Sequence, residues 1–172
     1  RALLRGTQVH YLLERLPAYP EQDWSTKAQS LLEKARLLED EIPSSPAIEE
    51  ALNILSDPKL AFIFAKDTLA EVPLSVALPM FDNIPVHGVI DRLIIDNDKI
   101  VVVDYKTNRI VPKTKDETPL GLLRQMGAYV MALEALYPES EIVPALLWTA
   151  TRKLMYLDAK RCIQSLQSLV HS

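Results

Sequence analysis

Between Val89 and Lys106 two runs rich in β-branched residues flank the polar stretch Asp96-Asn97-Asp98-Lys99. Asn97 and Asp98 both tolerate a left-handed backbone, and a polar pair of this kind between β-branched runs signals a two-residue β-hairpin. Such a loop pairs Asp96 with Lys99. Stepping outward along both strands, it sets Asp91 opposite Asp104. Lys106 follows Asp104 by two residues and shares its face. Directly opposed side chains have Cβ atoms roughly 4.5–5.5 Å apart. Two carboxylates that close repel each other unless a cation bridges them.

The remaining pattern places this hairpin in a mixed sheet. Leu4, Val9, Leu12, Leu13 and Leu16 recur at helical spacing up to Pro17, and Leu31, Leu32, Ala35 and Leu38 predict a second helix over 25–39. Ser45 reads as an N-cap, with Pro46 at the first helical position and Glu49 and Glu50 in the first turn. Asp57-Pro58 opens another short helical piece. Period-two patterns predict strands over 71–79, 86–95 and 100–106, a helix over 120–137, strands over 142–149 and 154–157, and a closing helix over 160–170. Strands with helices on both sides imply an α/β chain with a helical N-terminal third.

Composition narrows the function classes. The 172 residues are 48% hydrophobic and 24% charged, enough for a sizeable core. No apolar stretch approaches the length of a membrane span, and there is no signal-peptide pattern. A lone cysteine, Cys162, rules out an internal disulfide framework, a cysteine zinc site and a four-cysteine iron–sulfur cluster. A cytoplasmic origin fits that usage. The net charge of −4 is not that of a nucleic-acid binder, but its distribution is uneven. From Glu14 to Asp57 there are ten acids against four bases, whereas from Lys99 to Arg124 six bases face three acids. The second stretch reads either as a solvated basic loop or as a phosphate-facing rim beside the acidic pair. Because a helical pattern begins at the first residue, Arg1, the chain is expected to be a fragment of a longer protein.

Opposed carboxylates followed by a lysine suit phosphodiester hydrolysis. Asp91 and Asp104 can hold one or two Mg²⁺ ions, which take oxygen ligands and are commonly bound by few carboxylates plus substrate phosphate. A metal so placed activates water and polarises the phosphoryl oxygen. Lys106 can orient that water or offset transition-state charge. Tyr105 points to the other face, so its share is a backbone carbonyl ligand. The plainer alternative makes Asp91 and Lys106 surface residues of an exposed hairpin.

Gly88-Val89-Ile90-Asp91-Arg92, Val102-Val103-Asp104-Tyr105-Lys106-Thr107 and Gln125-Met126-Gly127-Ala128-Tyr129, in this order, resemble the RecB-type nuclease domain of the PD-(D/E)XK superfamily. Gly6-Thr7-Gln8-Val9-His10 and Leu146-Leu147-Trp148-Thr149 extend the likeness to nearly the whole chain. Within the family the nearest likeness is to the C-terminal nuclease domains of bacterial AddA-type helicase–nucleases. The resemblance implies a restriction-endonuclease-like mixed β-sheet core, in the order αβββαβ, flanked by helices and carrying an N-terminal helical elaboration. It implies a single nuclease domain over 1–172, with a helical part at 1–66 and a catalytic core at 67–172.

For the site, the resemblance assigns His10, Asp91 and Asp104 as metal ligands with Tyr105, and Lys106 as the catalytic lysine. Gln125 and Tyr129, four apart and so on one helical face, are placed against the site. His87 rivals His10, since it shares Asp91's strand face, while Glu71 is a possible accessory acid and Glu14 a surface ion-pair former. Thr107, Asn108 and Arg109 are candidate phosphate contacts; Arg92 has no assigned part. The implied cofactor is Mg²⁺, with Mn²⁺ able to substitute and no iron–sulfur cluster. Implied partners are single-stranded DNA ends fed by a helicase motor, helicase domains in the parent chain and an AddB-like subunit, in a bacterial cytoplasm and without a membrane. No Walker A sequence is present, so ATP binding belongs elsewhere in such a protein. Two alternatives stand beside a DNA nuclease: a non-cleaving DNA-end-binding or subunit-docking module, and a nuclease acting on RNA.

Overall fold

A computed structural model of the chain describes residues 1–170. Five strands form one sheet in the order β1-β2-β3-β4-β5: β1 Leu69–Ala77, β2 Pro85–Asp96, β3 Lys99–Lys106, β4 Glu141–Trp148 and β5 Lys153–Tyr156. Neighbours are antiparallel except β3 and β4, which run parallel. That parallel pair needs a long crossover, and α4 (Leu120–Leu136) supplies it. The remaining helices are α1 Ala2–Arg15, α2 Trp24–Lys34, α3 Ser45–Leu55 and α5 Ala159–Gln167. No helix among the described residues is long and apolar enough to cross a membrane.

The sheet is covered on both faces, which is why β3 reads as a nearly unbroken apolar run. Val101, Val103 and Tyr105 of β3, with Ala145 and Leu147 of β4, pack against α1, α2 and α3. Ile100, Val102, Ile142, Leu146 and Trp148 face the other way, onto α4 and α5. The helical third thus shares an apolar cluster with the sheet. Helices α4 and α5 touch at Gly127, where an added Cβ would fall 2.3 Å from the Cys162 carbonyl oxygen. The fold is the α/β, restriction-endonuclease-like one that the motifs imply.

The hairpin turns at Asn97, whose φ is 51°, and the ladder runs from Asp96–Lys99 to Arg92–Val103 in the expected register. It stops one pair short of the two aspartates. There the Asp91 carboxylate takes over the role of a backbone acceptor: its Oδ2 accepts the Tyr105 N–H at 2.7 Å.

Two features depart from the sequence pattern. α2 ends at Lys34 rather than Glu39, because Arg36 turns left-handed (φ 57°). Leu37 N–H then donates to Leu32 O and Arg36 N–H to Glu33 O, the paired bonds of a Schellman cap without its usual glycine. Glu71, inside β1, also has a positive φ of 50°. An L residue in that region costs of order 1–3 kcal/mol and persists only when its surroundings over-determine it.

Candidate active site

The site forms where β2 and β3 part. Asp91 and Asp104 line the gap, Lys106 follows on β3, α1 brings His10 from one side of the sheet and α4 brings Gln125 from the other.

On the α1 side, Gly6 lies so close to the residue after β3 that an added Cβ would be 2.8 Å from Thr107 Oγ1. The same Gly6 carbonyl lies 2.9 Å from His10 Nδ1. With that nitrogen as a donor, protonated His10 turns its Nε2–H toward Asp91, whose Oδ2 is 3.5 Å away, while the neutral imidazole leaves an Nε2 lone pair free for a cation. The Tyr105 ring packs edge-on against the imidazole, with centroids 5.5 Å apart. Burial opposes the positive charge of His10, but the hydrogen bond and charge of Asp91, the Gly6 carbonyl and the charge of Asp104 outweigh it. The imidazole pKa is therefore raised.

On the α4 side a continuous polar chain leads from Asp104 to β2. Lys106 Nζ stands 2.8 Å from Asp104 Oδ2 in an ion pair. It also donates to Gln125 Oε1 at 3.4 Å. Gln125 Nε2 donates to the Tyr129 hydroxyl at 3.2 Å, and that hydroxyl donates to Val89 O at 3.0 Å. Gly88 makes room for the Tyr129 ring, since a Cβ there would lie 2.9 Å from Cε1. The glycine, glutamine and tyrosine of the two motifs are thus parts of one contact between α4 and β2.

Asp104 is buried, and burial first, then the charge of Asp91, pushes its carboxyl up to about 6 despite the pull of Lys106. Glu71 stands across the β1–β2 ladder from Asp91. Burial and the charges of Asp91 and Glu14 raise its pKa, against the opposing pull of His10. Three carboxyl groups and an imidazole therefore share one field. Two carboxylates and an imidazole suit a divalent cation such as Mg²⁺ or Mn²⁺. Asp104 Oδ2 is buried beside the Lys106 ammonium and close to the charge of Asp91, and that repulsion between carboxylates is the condition a cation would relieve. The donors nevertheless do not enclose a cation as they stand: among the described residues no three His, Cys, Asp or Glu side chains form a metal-sized group. Asp91 Oδ2 is committed to Tyr105 and His10, and Asp104 to Lys106.

Other expected residues separate. His87 does not sit beside Asp91; it lines a groove of about 270 Å³ between β1, β2 and α4, together with Gln125 and Tyr129. Glu14 pairs with Arg15 at 3.5 Å. Arg92 is buried, donates from Nε to Ile63 O at 3.0 Å and lies 5.2 Å from the centroid of the Phe64 ring. It ties β2 to the helical third. Residues that the motifs do not reveal are Arg5, whose guanidinium donates to Thr107 O, and Glu50, which accepts the Thr149 hydroxyl at 2.9 Å while Thr149 N–H donates to Lys106 O. Both hold the end of β3 through partners remote in sequence.

The model of the PD-(D/E)XK nuclease superfamily matches residues 1–165, and the chain belongs to that superfamily. Three curated relatives each carry the name of an ATP-dependent helicase/nuclease. The protein from Ligilactobacillus salivarius is 30% identical over 149 residues, covering 76% of this chain and 12% of the relative. Those from Listeria welshimeri and Geobacillus thermodenitrificans are 28% and 27% identical, over 61% and 77% of this chain. The chain spans about a tenth of the length of these relatives.

Proposed function

We propose that this chain is a metal-dependent DNA nuclease unit, acting within an AddA/RecB-like helicase–nuclease during double-strand break repair and recombination. The supporting observation is that His10 stands beside Asp91 and Lys106 beside Asp104, from two strands and a helix, in a chain of this superfamily. Mg²⁺ is the proposed cofactor, Mn²⁺ a substitute, and single-stranded DNA ends the proposed substrate. The proposed partners, in a bacterial cytoplasm, are helicase domains and an AddB-like subunit. Residues 1–66 and 67–172 act as one unit in this reading.

His10, Asp91 and Asp104 would hold the cation, with the Tyr105 carbonyl as a further oxygen donor. A divalent ion held there would polarise the scissile phosphoryl group and lower the pKa of a water. The chain's own groups then have distinct tasks. Lys106 would place its ammonium beside the phosphate, to orient the attacking water and offset developing negative charge. Gln125 fixes the ammonium's direction, and Tyr129 fixes Gln125 against β2. Glu71 adds negative charge behind Asp91. Thr107, Asn108 and Arg109 extend from Lys106 as phosphate contacts.

The test is cleavage of linear single- and double-stranded DNA by the purified chain with Mg²⁺ or Mn²⁺, with matched RNA strands in parallel. Activity that survives Asp104→Ala or Lys106→Ala would sink the roles given to these residues. A second reading, a non-cleaving module that binds DNA ends or a partner protein, has the incomplete cation cage in its favour. DNA binding without detectable Mn²⁺ binding would select it.

A further inference from the structure

A second concave feature lies at the start of α1. A cleft of about 420 Å³ opens between the first turns of α1, the approach to α3 and the loop after β3. Arg1 and Arg5 line it from one row of α1, and Arg109 from the loop. Among the described residues no carboxylate lines it, although the chain as a whole carries −4. Ile42 and Pro43 give it an apolar wall. The acids Glu39, Asp40 and Glu41, just before that wall, are exposed and outside the lining, so they bound the path of a polyanion on that side.

We propose that this cleft binds the phosphodiester backbone of a single nucleic-acid strand, as a subsite flanking the place of cleavage. The flanking position rests on the nuclease reading; the binding does not.

Arg5 is already fixed for the task. Its guanidinium is anchored on the Thr107 carbonyl, one residue past Lys106, and its buried Nε has no partner among the described residues. A buried donor lacking an acceptor in a cationic cleft is what a phosphate oxygen would satisfy. The volume falls in the range of pockets that take one small molecule, so the site fits a nucleotide of a single strand with its sugar or base against the apolar wall. The planar forks of arginine suit phosphate recognition better than lysine would. Arg5 and His10 are separated by five residues, about 7.5 Å of helix rise, so a strand seated in the cleft would reach Lys106 and Asp104 within a few nucleotides.

The test is fluorescence anisotropy of labelled short oligo-dT and oligo-rU strands with the 172-residue chain in EDTA, so that cleavage does not intervene. Arg109 is exposed, and its substitution should leave the melting temperature unchanged. Arg109→Ala should weaken binding of both strands by roughly fivefold at low salt and reduce the steepness of the salt dependence by about 0.7 in log–log slope. Arg109→Lys should keep the slope. Lys160→Ala, on α5 across the sheet, should bind like the parent. Equal affinity of Arg109→Ala and parent, an equal loss in Lys160→Ala, an effect confined to one sugar type, or no binding by the parent at low salt would each overturn the subsite. Arg109-dependent binding in EDTA, together with no cleavage when Mg²⁺ or Mn²⁺ is supplied, would instead remove the nuclease reading and leave this one standing.

Discussion

Lys106 Nζ lies 2.8 Å from Asp104 Oδ2, yet the Asp104 carboxyl still titrates near 6, because burial and the neighbouring Asp91 outweigh the ammonium. The folded chain therefore holds Asp104 at a cost. Its ordinary value is 3.8, so the group binds a proton more tightly folded than unfolded. The stability associated with that proton is present below pH 3.8 and is lost as pH rises through about 6.

Asp104→Asn should accordingly stabilise the metal-free chain while abolishing cleavage. In EDTA at pH 7.5 the gain should reach up to roughly 3 kcal/mol, or several degrees in melting temperature. It should shrink as pH falls from 6 toward 3.8. Thermal melts across that range check it, and a variant less stable than the parent at pH 7.5 would contradict the account of Asp104 as a strained carboxylate.

His10 gives the opposite sign for the metal. Its pKa is raised above 6.5, so below that value the His10–Asp91 pair contributes fully to stability, and the contribution is lost as pH rises through the folded pKa. A cation needs the neutral imidazole. Mn²⁺ binding should strengthen with pH across this window and release protons, read by calorimetry in two buffers of different ionisation enthalpy. His10→Ala should weaken Mn²⁺ binding by about tenfold or more and diminish the proton release.

Much of this arrangement is legible in the sequence, and the reasons it is not all legible are physical. The hairpin register follows from Asn97-Asp98, since few two-residue loops fit between such strands. What the register hides is that the ladder stops before Asp91, where a side chain replaces a backbone acceptor. The end of α2 is hidden because Arg36 takes a left-handed conformation usually marked by glycine. The strain at Glu71 is invisible for the same reason. Arg5 is missed because its acceptor, the Thr107 carbonyl, lies 102 residues away, and no local pattern encodes that meeting. His10 is found through motif likeness, not spacing. Its environment then explains the choice over His87, which faces a groove instead of Asp91.

Tyr129→Phe should separate the positioning of Gln125 from packing. The ring and its contact with Gly88 remain, but the bonds to Val89 and Gln125 go. A stability loss of about 1 kcal/mol is expected. If Gln125 directs Lys106, kcat should fall severalfold with KM for DNA little changed. An unchanged kcat would confine Tyr129 to holding α4 on β2.

Gly127→Ala tests the α4–α5 contact. Its new Cβ would meet the Cys162 carbonyl at 2.3 Å, and backbone cannot yield as a flexible side chain can. A loss of about 3 kcal/mol is expected, at the upper end of overpacking costs. Gly121→Ala, with nothing within 4 Å of its Cβ, should be neutral or slightly stabilising because alanine favours helix. Denaturant melts of the two variants measure the contrast.

Charge sets the last expectation. With a net charge of −4 and six bases against three acids between Lys99 and Arg124, the chain has few groups near the site with which to neutralise phosphates. Non-specific affinity falls with salt according to the number of phosphates neutralised, with a log–log slope of roughly −0.7 per phosphate for single strands. Three or four such contacts would leave binding weak at physiological ionic strength. The purified chain should therefore cut slowly, and its rate at subsaturating DNA should fall by about tenfold or more between 50 and 200 mM salt. The same cutting rate at saturating DNA should be nearly independent of salt, because the hydrolytic step itself releases no counterions. Robust cleavage at physiological salt by the chain alone would show that strand delivery by a motor is not what this site depends on.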